Sequence, residues 1–493
     1  MSSGGLKIVV IGAGYVGLVN AACLAHLGHN VVGIDRDPNR IRDLNEGRIP
    51  IHEPGLSDLV NQTRGAGRLT FTSDLERPLY GSDIILIAVG TPPDEIDGST
   101  DLSQLQRAIK DIAPFCRTQT VVVRSTVPPG TCQKMESLAQ RVNPSASISI
   151  VSCPEFLREG AAVLDFLKPD RIIVGLDSAS DRAVMDQLFH SFSIDGVSIL
   201  YTTRETSELI KYAANSFLAM KVAFINEMAD ICDGVGADVR DLAIGIGQDP
   251  RIGSAFLKPG PGFGGSCFPK DTAAFARVAE ESGAPSKLIE AMIVSNNQRI
   301  RAMARRIIAA CGGDVDGKRV AFLGLTFKPD TDDVRDSPAL AIASRLLSKG
   351  AVVVGYDPQG SHNAMTRVPK LEIAATPIEA ARGADAIVVA TDWHEFSDLD
   401  LDELESKVCT PLIIDLRNIV DVNRATLAGF KVISLGIGSV NSNSTALLAI
   451  KTVGPKVDVS KRQVATSKGQ VAVQTDDPWQ HGGKWGVKRE GAR

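Results

Sequence analysis

The chain has 493 residues, 44% of them apolar and 23% charged, enough for two to four ordinary globular domains. A formal net charge of −5 and a pI near 5.9 argue against a nucleic-acid binder, and no run of about 18 apolar residues offers a membrane span. Eight cysteines (23, 116, 132, 153, 232, 267, 311 and 409) are scattered without a C-x-x-C pair, which points to reduced thiols, no metal site and a cytoplasmic setting.

Lys7-Ile-Val-Val-Ile11 reads as a first strand and not as a signal peptide, because no small-residue cleavage site closes it. Helix formers run from Tyr15 to Leu27, and Asn30 to Asp35 is a second strand. Between them stands Gly12-x-Gly14-x-x-Gly17, with Asp35 18 residues beyond the last glycine. The glycines permit a tight turn and close approach of a pyrophosphate to the helix N-terminus, and Asp35 would bond the ribose. With both strands and the acid in place, the motif predicts a dinucleotide. The carboxylate favours NAD over NADP, and Arg36 is the one neighbour that pulls the other way. Further apolar runs at Asp83–Val89, Thr120–Arg124 and Ser147–Val151, with a helical stretch at 102–115, predict a parallel doubly wound sheet.

From Thr203 to about Val235 the pattern becomes one long helix carrying Leu209, Ile210, Ala213, Phe217, Met220, Val222, Phe224, Ile225 and Met228. So much apolar surface suits burial between domains or subunits, or an ordinary core helix. Residues 285–310 read as helical too. A second alternating unit runs through Lys318–Gly324, a helix near 338–348, Ala351–Asp357, Asp385–Ala390 and Pro411–Asp415. Its first turn, Gly324-Leu-Thr-Phe-Lys328, lacks the dinucleotide pattern, so it should bind something else. Residues 451–493 carry nine Lys or Arg against four Asp or Glu, a net of +5, and read as a disordered tail. The expected fold is α/β: two doubly wound Rossmann-like domains joined by a long central helix. The expected boundaries are 1–202, 203–312, 313–445 and a tail at 446–493.

The chemistry concentrates in Pro261-Gly-Phe-Gly-Gly-Ser-Cys-Phe-Pro-Lys-Asp271, where glycines crowd the approach to Cys267 and Asp271 follows one helical turn later. A thiol beside a cofactor offers covalent catalysis, although most free cysteines are small buried hydrophobes. Lys211 and Asn215, four apart, share one face of the long helix, where they could polarise an oxygen and move its proton; a solvated face is the bland alternative. Glu155 and Glu159 in Pro154-Glu-Phe-Leu-Arg-Glu159 follow a strand end, where α/β sheets place ligand loops, and are candidate acid/base groups. Thr126, in Ser125-Thr-Val-Pro-Pro-Gly130, could place a hydroxyl near the nicotinamide.

Gly12-Ala-Gly-Tyr-Val-Gly17, Ser125-Thr-Val-Pro-Pro129, Pro154–Gly160, Lys211-Tyr-Ala-Ala-Asn215, Gly262–Asp271 and Gly324–Pro338 together resemble the UDP-glucose/GDP-mannose dehydrogenase family, and within it the UDP-glucose 6-dehydrogenases. The resemblance covers about residues 6–440. It implies NAD as cofactor, UDP-glucose as substrate, and two successive hydride transfers through a Cys267 thiohemiacetal and thioester. It further implies that Lys211 and Asn215 stabilise oxyanions, that Asp271 orients Lys211 or a water, and that Glu155 serves thioester cleavage. Thr126 would position water or substrate. On the cofactor side it points to Gly12, Gly14, Tyr15, Val16, Gly17, Asp35, Arg40, Thr91, Thr126, Glu159 and Arg335. For the sugar nucleotide it points to Glu155, Phe156, Leu157, Lys211, Asn215, Phe256, Lys258, Phe263, Gly264, Phe327, Lys328 and Arg417. Arg251 would reach a neighbouring subunit's site, which implies a homodimer or larger through the central helix.

Trp393-His-Glu-Phe-Ser397 departs from the family, whose members often carry a basic residue at the last position. GDP-mannose or UDP-N-acetylhexosamine dehydrogenases are the nearest alternatives, and Ser266 and Phe268 favour UDP-glucose by the same resemblance. A two-electron hydroxyacid dehydrogenase would have no use for Cys267. Lys211, Asn215, Cys267 and Asp271 together speak against a redox-responsive NADH sensor.

Overall fold

A computed structural model describes residues 5–94 and 98–438, so the expected tail lies outside the described residues. The opening pattern folds as its sequence predicts: β1 (Lys7–Ile11), a helix over Tyr15–His26, then β2 (Asn30–Ile34). The strands β3 (Leu69–Thr72), β4 (Ile84–Ile87), β5 (Thr120–Val123), β6 (Ser149–Ser152), β7 (Arg171–Gly175) and β8 (Ser198–Thr202) complete an eight-stranded sheet of order 3-2-1-4-5-6-7-8. Every residue of β4 and β5 is buried, as expected of strands covered on both faces. Each such aliphatic side chain contributes roughly 1.5–3 kcal/mol of transfer free energy. The strand order reverses between β1 and β4, and the glycine turn opens there, at the carboxyl ends where such sheets bind ligands.

One departure from the expected parallel sheet places the active site. β7 runs antiparallel to β6, and β8 follows β7. A parallel return needs a crossover of about a dozen residues or more. Here the chain first shapes the loop 153–161, leaving only the six-residue helix Ala162–Leu167 before β7. The reversed pair ends at the far side of the sheet, so the central helix, Arg204–Val235, starts there and climbs along β6. Arg204 donates to the carbonyl of Ile150 (3.3 Å), Ser207 to that of Ser152 (3.2 Å) and Lys211 to that of Glu155 (2.6 Å). Three residues on one helix face thus track the strand and deliver Lys211 to its carboxyl end.

Thr203 caps this helix by accepting from the Thr206 amide, and Gly236 (φ 76°) ends it in the left-handed conformation. Its 32 residues span roughly 48 Å. The helix is an ordinary core helix on one side only: Ile225, Ala219 and Ala229 are fully buried, while Phe217, Phe224 and Ile231 are 59%, 47% and 53% exposed within the single chain. The helices Val239–Gly247, Phe268–Glu281 and Lys287–Ala310 complete the central segment.

The second unit forms a six-stranded sheet of order 11-10-9-12-13-14 from β9 (Arg319–Leu323), β10 (Val352–Tyr356), β11 (Glu372–Ile373), β12 (Ala386–Val389), β13 (Leu412–Asp415) and β14 (Lys431–Ser434). The amides of Gly324, Leu325, Thr326 and Phe327 in its first turn are already taken and do not offer a phosphate the cradle that the N-terminal turn does. Asp357 Oδ2 accepts from the amides of Leu325 (2.7 Å) and Thr326 (2.9 Å), from the Thr326 hydroxyl and from the Trp393 indole. The departure from the family at Ser397 is local, since that hydroxyl bonds the His394 carbonyl (2.6 Å).

Candidate active site

At the switch point the glycine turn has the form a pyrophosphate needs. Gly12 has φ +97°, a Cβ on it would lie 2.6 Å from the Ala88 carbonyl oxygen, and a Cβ on Gly17 would overlap the Gly12 carbonyl. Gly14 faces open space. Asp35, at the end of β2, accepts from the Ala13 amide (2.8 Å) and from Arg40 (3.0 Å). Burial would raise its pKa, but the Asp37 and Ala13 amides and Arg40 outweigh that and hold it below the usual carboxylate range. Arg40, and not the exposed Arg36, is thus the cation at the ribose acid. A cleft of about 400 Å³ follows from the turn, lined by Gly14, Tyr15, Arg40, Glu159 and Arg335 among others. The residues present therefore fit a dinucleotide with a free 2′-hydroxyl. Val16 lies half-buried one residue past Tyr15, and Thr91 donates to the Thr126 carbonyl (3.0 Å), joining the two loops beyond β4 and β5.

The thiol loop is pinned from three sides. The Gly260 amide donates to Asn226 on the central helix (2.7 Å), the Phe263 amide to Asn296 (2.8 Å) and the Gly265 amide to the Arg335 carbonyl of the second unit (3.0 Å). The glycines are there for close approach. A Cβ on Gly264 would lie 2.2 Å from the Asp336 carbonyl oxygen, and one on Gly265 (φ +84°) 2.6 Å from the Phe327 ring. Cys267 then stands at the start of the helix Phe268–Glu281, with the Asp271 amide bonded to its carbonyl (2.8 Å).

Around the sulfur the predicted groups converge. Lys211, 3% exposed, contacts Glu155 Oε1 at 3.3 Å and lies 5.2 Å from the centroid of the Phe156 ring. Burial alone would lower its pKa, but the charges of Glu155, Cys267 and Asp271 outweigh this and raise it, so Lys211 stays cationic. That suits oxyanion stabilisation better than proton abstraction. Asn215 donates to Asp271 Oδ2 (2.6 Å), and Lys270 contacts the other oxygen (2.5 Å). Asp271 therefore bonds Asn215, while Lys211, the first of its two expected partners, is held by Glu155. Burial pushes the Cys267 thiol up to about 11, with Lys211 opposing. The resting thiol is protonated and needs a base.

Glu159 is placed to be that base. It accepts from the Ser266 hydroxyl (2.8 Å), which lies 3.5 Å from the Cys267 sulfur, and Arg335 reaches it at 3.3 Å. Burial first, then the neighbouring Asp333 charge, push its carboxyl up to about 7. Its second oxygen is buried without a hydrogen-bond partner among the described residues. The sequence reading gave Glu159 as a candidate acid/base group, placed it with the cofactor by resemblance, and gave Ser266 no role in the chemistry. The adjacency of Ser266 and Cys267 was legible, but only the fold joins Glu159 to Ser266.

The expected sugar-nucleotide residues divide into two groups. Phe256 and Phe263 flank the Phe268 ring at 6.1 Å, and Leu157 donates its amide to Glu155 (2.6 Å). Phe327 and Lys328 stand half-buried on the second unit, and burial lowers the Lys328 pKa. Arg417 donates to the carbonyls of Ala390 (2.9 Å) and Phe327 (3.0 Å), against Gly260. Lys258 is exposed, and Arg251, its side chain 87% exposed, pairs only with Asp249 among the described residues. Those two are not brought to the thiol within this chain. Among the described residues no cluster of His, Cys, Asp and Glu could hold a metal, and no helix is long and apolar enough to cross a membrane.

Three consecutive family models match the chain: the UDP-glucose/GDP-mannose dehydrogenase NAD-binding domain over residues 6–193, the central domain over 205–298 and the UDP-binding domain over 321–422. The chain is 51% identical over 434 residues to a UDP-glucose 6-dehydrogenase of Rhizobium meliloti (strain 1021), covering 87% of this chain and 99% of that one. It is 42% identical to one from Bacillus subtilis (strain 168), covering 87% and 98%. Its fold is similar to a UDP-glucose dehydrogenase of Pyrobaculum islandicum (TM-score 0.82, 34% identity, 89% and 99% covered). It is also similar to a UDP-D-ManNAc dehydrogenase from Pyrococcus horikoshii (TM-score 0.76, 29% identity, 88% and 100% covered). With an NAD-binding sheet, a buried Lys–Asn helix face and a glycine-pinned thiol in family order, the chain belongs to the UDP-glucose/GDP-mannose dehydrogenase family.

Proposed function

We propose that the protein oxidises UDP-glucose at C6 to UDP-glucuronate in two steps on one carbon. The observation that carries this reading is the thiol of Cys267 set between a buried cation, Lys211, and a carboxylate poised near neutrality, Glu159. NAD, which the glycine turn, Asp35 and Arg40 would hold, would supply the hydride acceptor, one molecule for each of the two oxidations.

In the first step the C6 hydroxyl gives its proton to Glu155 as the C–H bond is lost as hydride, leaving an aldehyde. Lys211 and Asn215 stabilise the oxygen. An aldehyde cannot readily lose a second hydride until a nucleophile adds, so Cys267 attacks, passing its proton through Ser266 to Glu159. The oxyanion so formed takes back the proton held by Glu155, and the thiohemiacetal then returns it to Glu155 as the second hydride leaves, giving a thioester. Water, deprotonated by a Glu159 carboxylate that has released its proton, cleaves the thioester and frees the thiol. Lys328 and Arg417 supply cations for the diphosphate. The test is a panel of nucleotide sugars assayed for NADH release with product identification. UDP-glucose should be turned over at least about tenfold faster than UDP-N-acetylhexosamines or GDP-mannose. Preference for any of those overturns the substrate assignment.

The oligomer follows from the central helix. Phe217, Phe224 and Ile231, seven apart and 47–59% exposed, form an apolar row on one helix face, with Leu288 and Val294 exposed on the helix Lys287–Ala310. A second copy of the chain covers this row, and Arg251 reaches the neighbour's site. Phe217→Asp with Phe224→Asp should shift the sedimentation coefficient to that of a monomer and lower activity. An unchanged oligomer would place the interface elsewhere.

A further inference from the structure

Glu53 is 6% exposed, stands in the loop ahead of the helix Leu56–Gly65, and has no part in the chemistry above. Its Oε1 accepts from the Ala162 amide (2.7 Å), and its Oε2 accepts from the Gly160 amide (2.6 Å) and from the Tyr15 hydroxyl. Gly160 N also lies 3.1 Å from the Tyr15 oxygen. Burial first, then the Glu53 charge, raise the Tyr15 pKa, so the phenol stays protonated and donates. A buried carboxylate is costly unless its oxygens are matched by donors, and this one is matched.

The donors come from two functional segments. Tyr15 is the first helical residue after Gly14, at the cofactor turn. The Gly160 amide belongs to the peptide that joins it to Glu159, the residue that bonds Ser266 beside the thiol. Gly160 has φ +79°, and a Cβ there would lie 2.7 Å from the Asp330 carbonyl oxygen, so this peptide is also held against the second unit.

We propose that Glu53 is a positioning residue for the dehydrogenase: one carboxylate sets the Glu159–Gly160 peptide against Tyr15, fixing the base relative to the cofactor turn. This rests on the reading of Glu159 as the base. Glu53→Gln keeps the shape but turns one acceptor oxygen into an NH₂ that faces a donor.

In the full-length protein, Glu53→Gln should fold by far-UV circular dichroism and lower kcat about 10- to 100-fold, with KM for UDP-glucose within about twofold. The acid limb of its kcat profile should move away from about pH 7. Because Glu53 acts through Glu159, the Glu53→Gln, Glu159→Gln double variant should be no slower than Glu159→Gln alone. Parental kcat and pH profile, or losses that multiply in the double variant, overturn the proposal. Should Glu53→Gln fail to fold, Tyr15→Phe decides: NADH affinity, read by fluorescence titration, should fall several-fold, and unchanged affinity overturns the link to the turn. If the parental enzyme does not oxidise UDP-glucose, the functional reading fails, while this titration still judges the clamp.

Discussion

Replacing Cys267 by serine is expected to abolish formation of the acid, lowering kcat by about 10³-fold or more with KM for UDP-glucose little changed. The thiol, at about 11, is harder to ionise than an exposed cysteine, yet it remains far more acidic than an alcohol. Lys211 opposes the rise, and Ser266 with Glu159 offers its proton a path. A serine hydroxyl in the same place has neither the acidity nor the polarisability to add to the aldehyde. Chromatography should therefore detect aldehyde-level product and no UDP-glucuronate. Full turnover to the acid by this variant would remove the covalent role.

Changing Glu159 to glutamine is expected to slow both thiol addition and thioester cleavage, and kcat with them, about 10²- to 10⁴-fold, the range for a lost general base. The sign of the pH dependence follows from its raised carboxyl. Below about pH 7 Glu159 is protonated and cannot accept, so parental kcat should fall with acidity through that value and level off above it. The glutamine variant should lose that limb, as seen in kcat measured from pH 5 to pH 9. A retained limb near neutrality would assign the base to another group, with Glu155 the nearest candidate.

Much of the fold was legible because its signals are local. Gly12-x-Gly14-x-x-Gly17 between two apolar runs fixes a strand, a turn and a helix, and the family models match that order. The central helix was read almost to the residue, since a Thr cap and a closing glycine bound an unbroken helical pattern. The missed edge strands β3, β8, β11 and β14 are partly exposed and carry weak period-two patterns. β7 was missed although Ile172-Ile173-Val174 is a clear apolar run, and its reversal depends on how few residues remain after the active-site loop. Single residues of the site were legible where the chemistry is peculiar to the side chain, as at Cys267 and Lys211. Partnerships were not. Asp271 with Asn215, Glu159 with Ser266 and Glu53 with Tyr15 join segments far apart in sequence, and no spacing rule reaches across 56 or 107 residues.

The claim that one sulfur lets one carbon be oxidised twice is tested most directly by counting NADH released against UDP-glucose consumed in the parental protein and in Cys267→Ser. With excess NAD, the parental protein should release about two NADH per UDP-glucose and Cys267→Ser no more than about one. One NADH per UDP-glucose in the parental protein, or two in Cys267→Ser, would contradict the account.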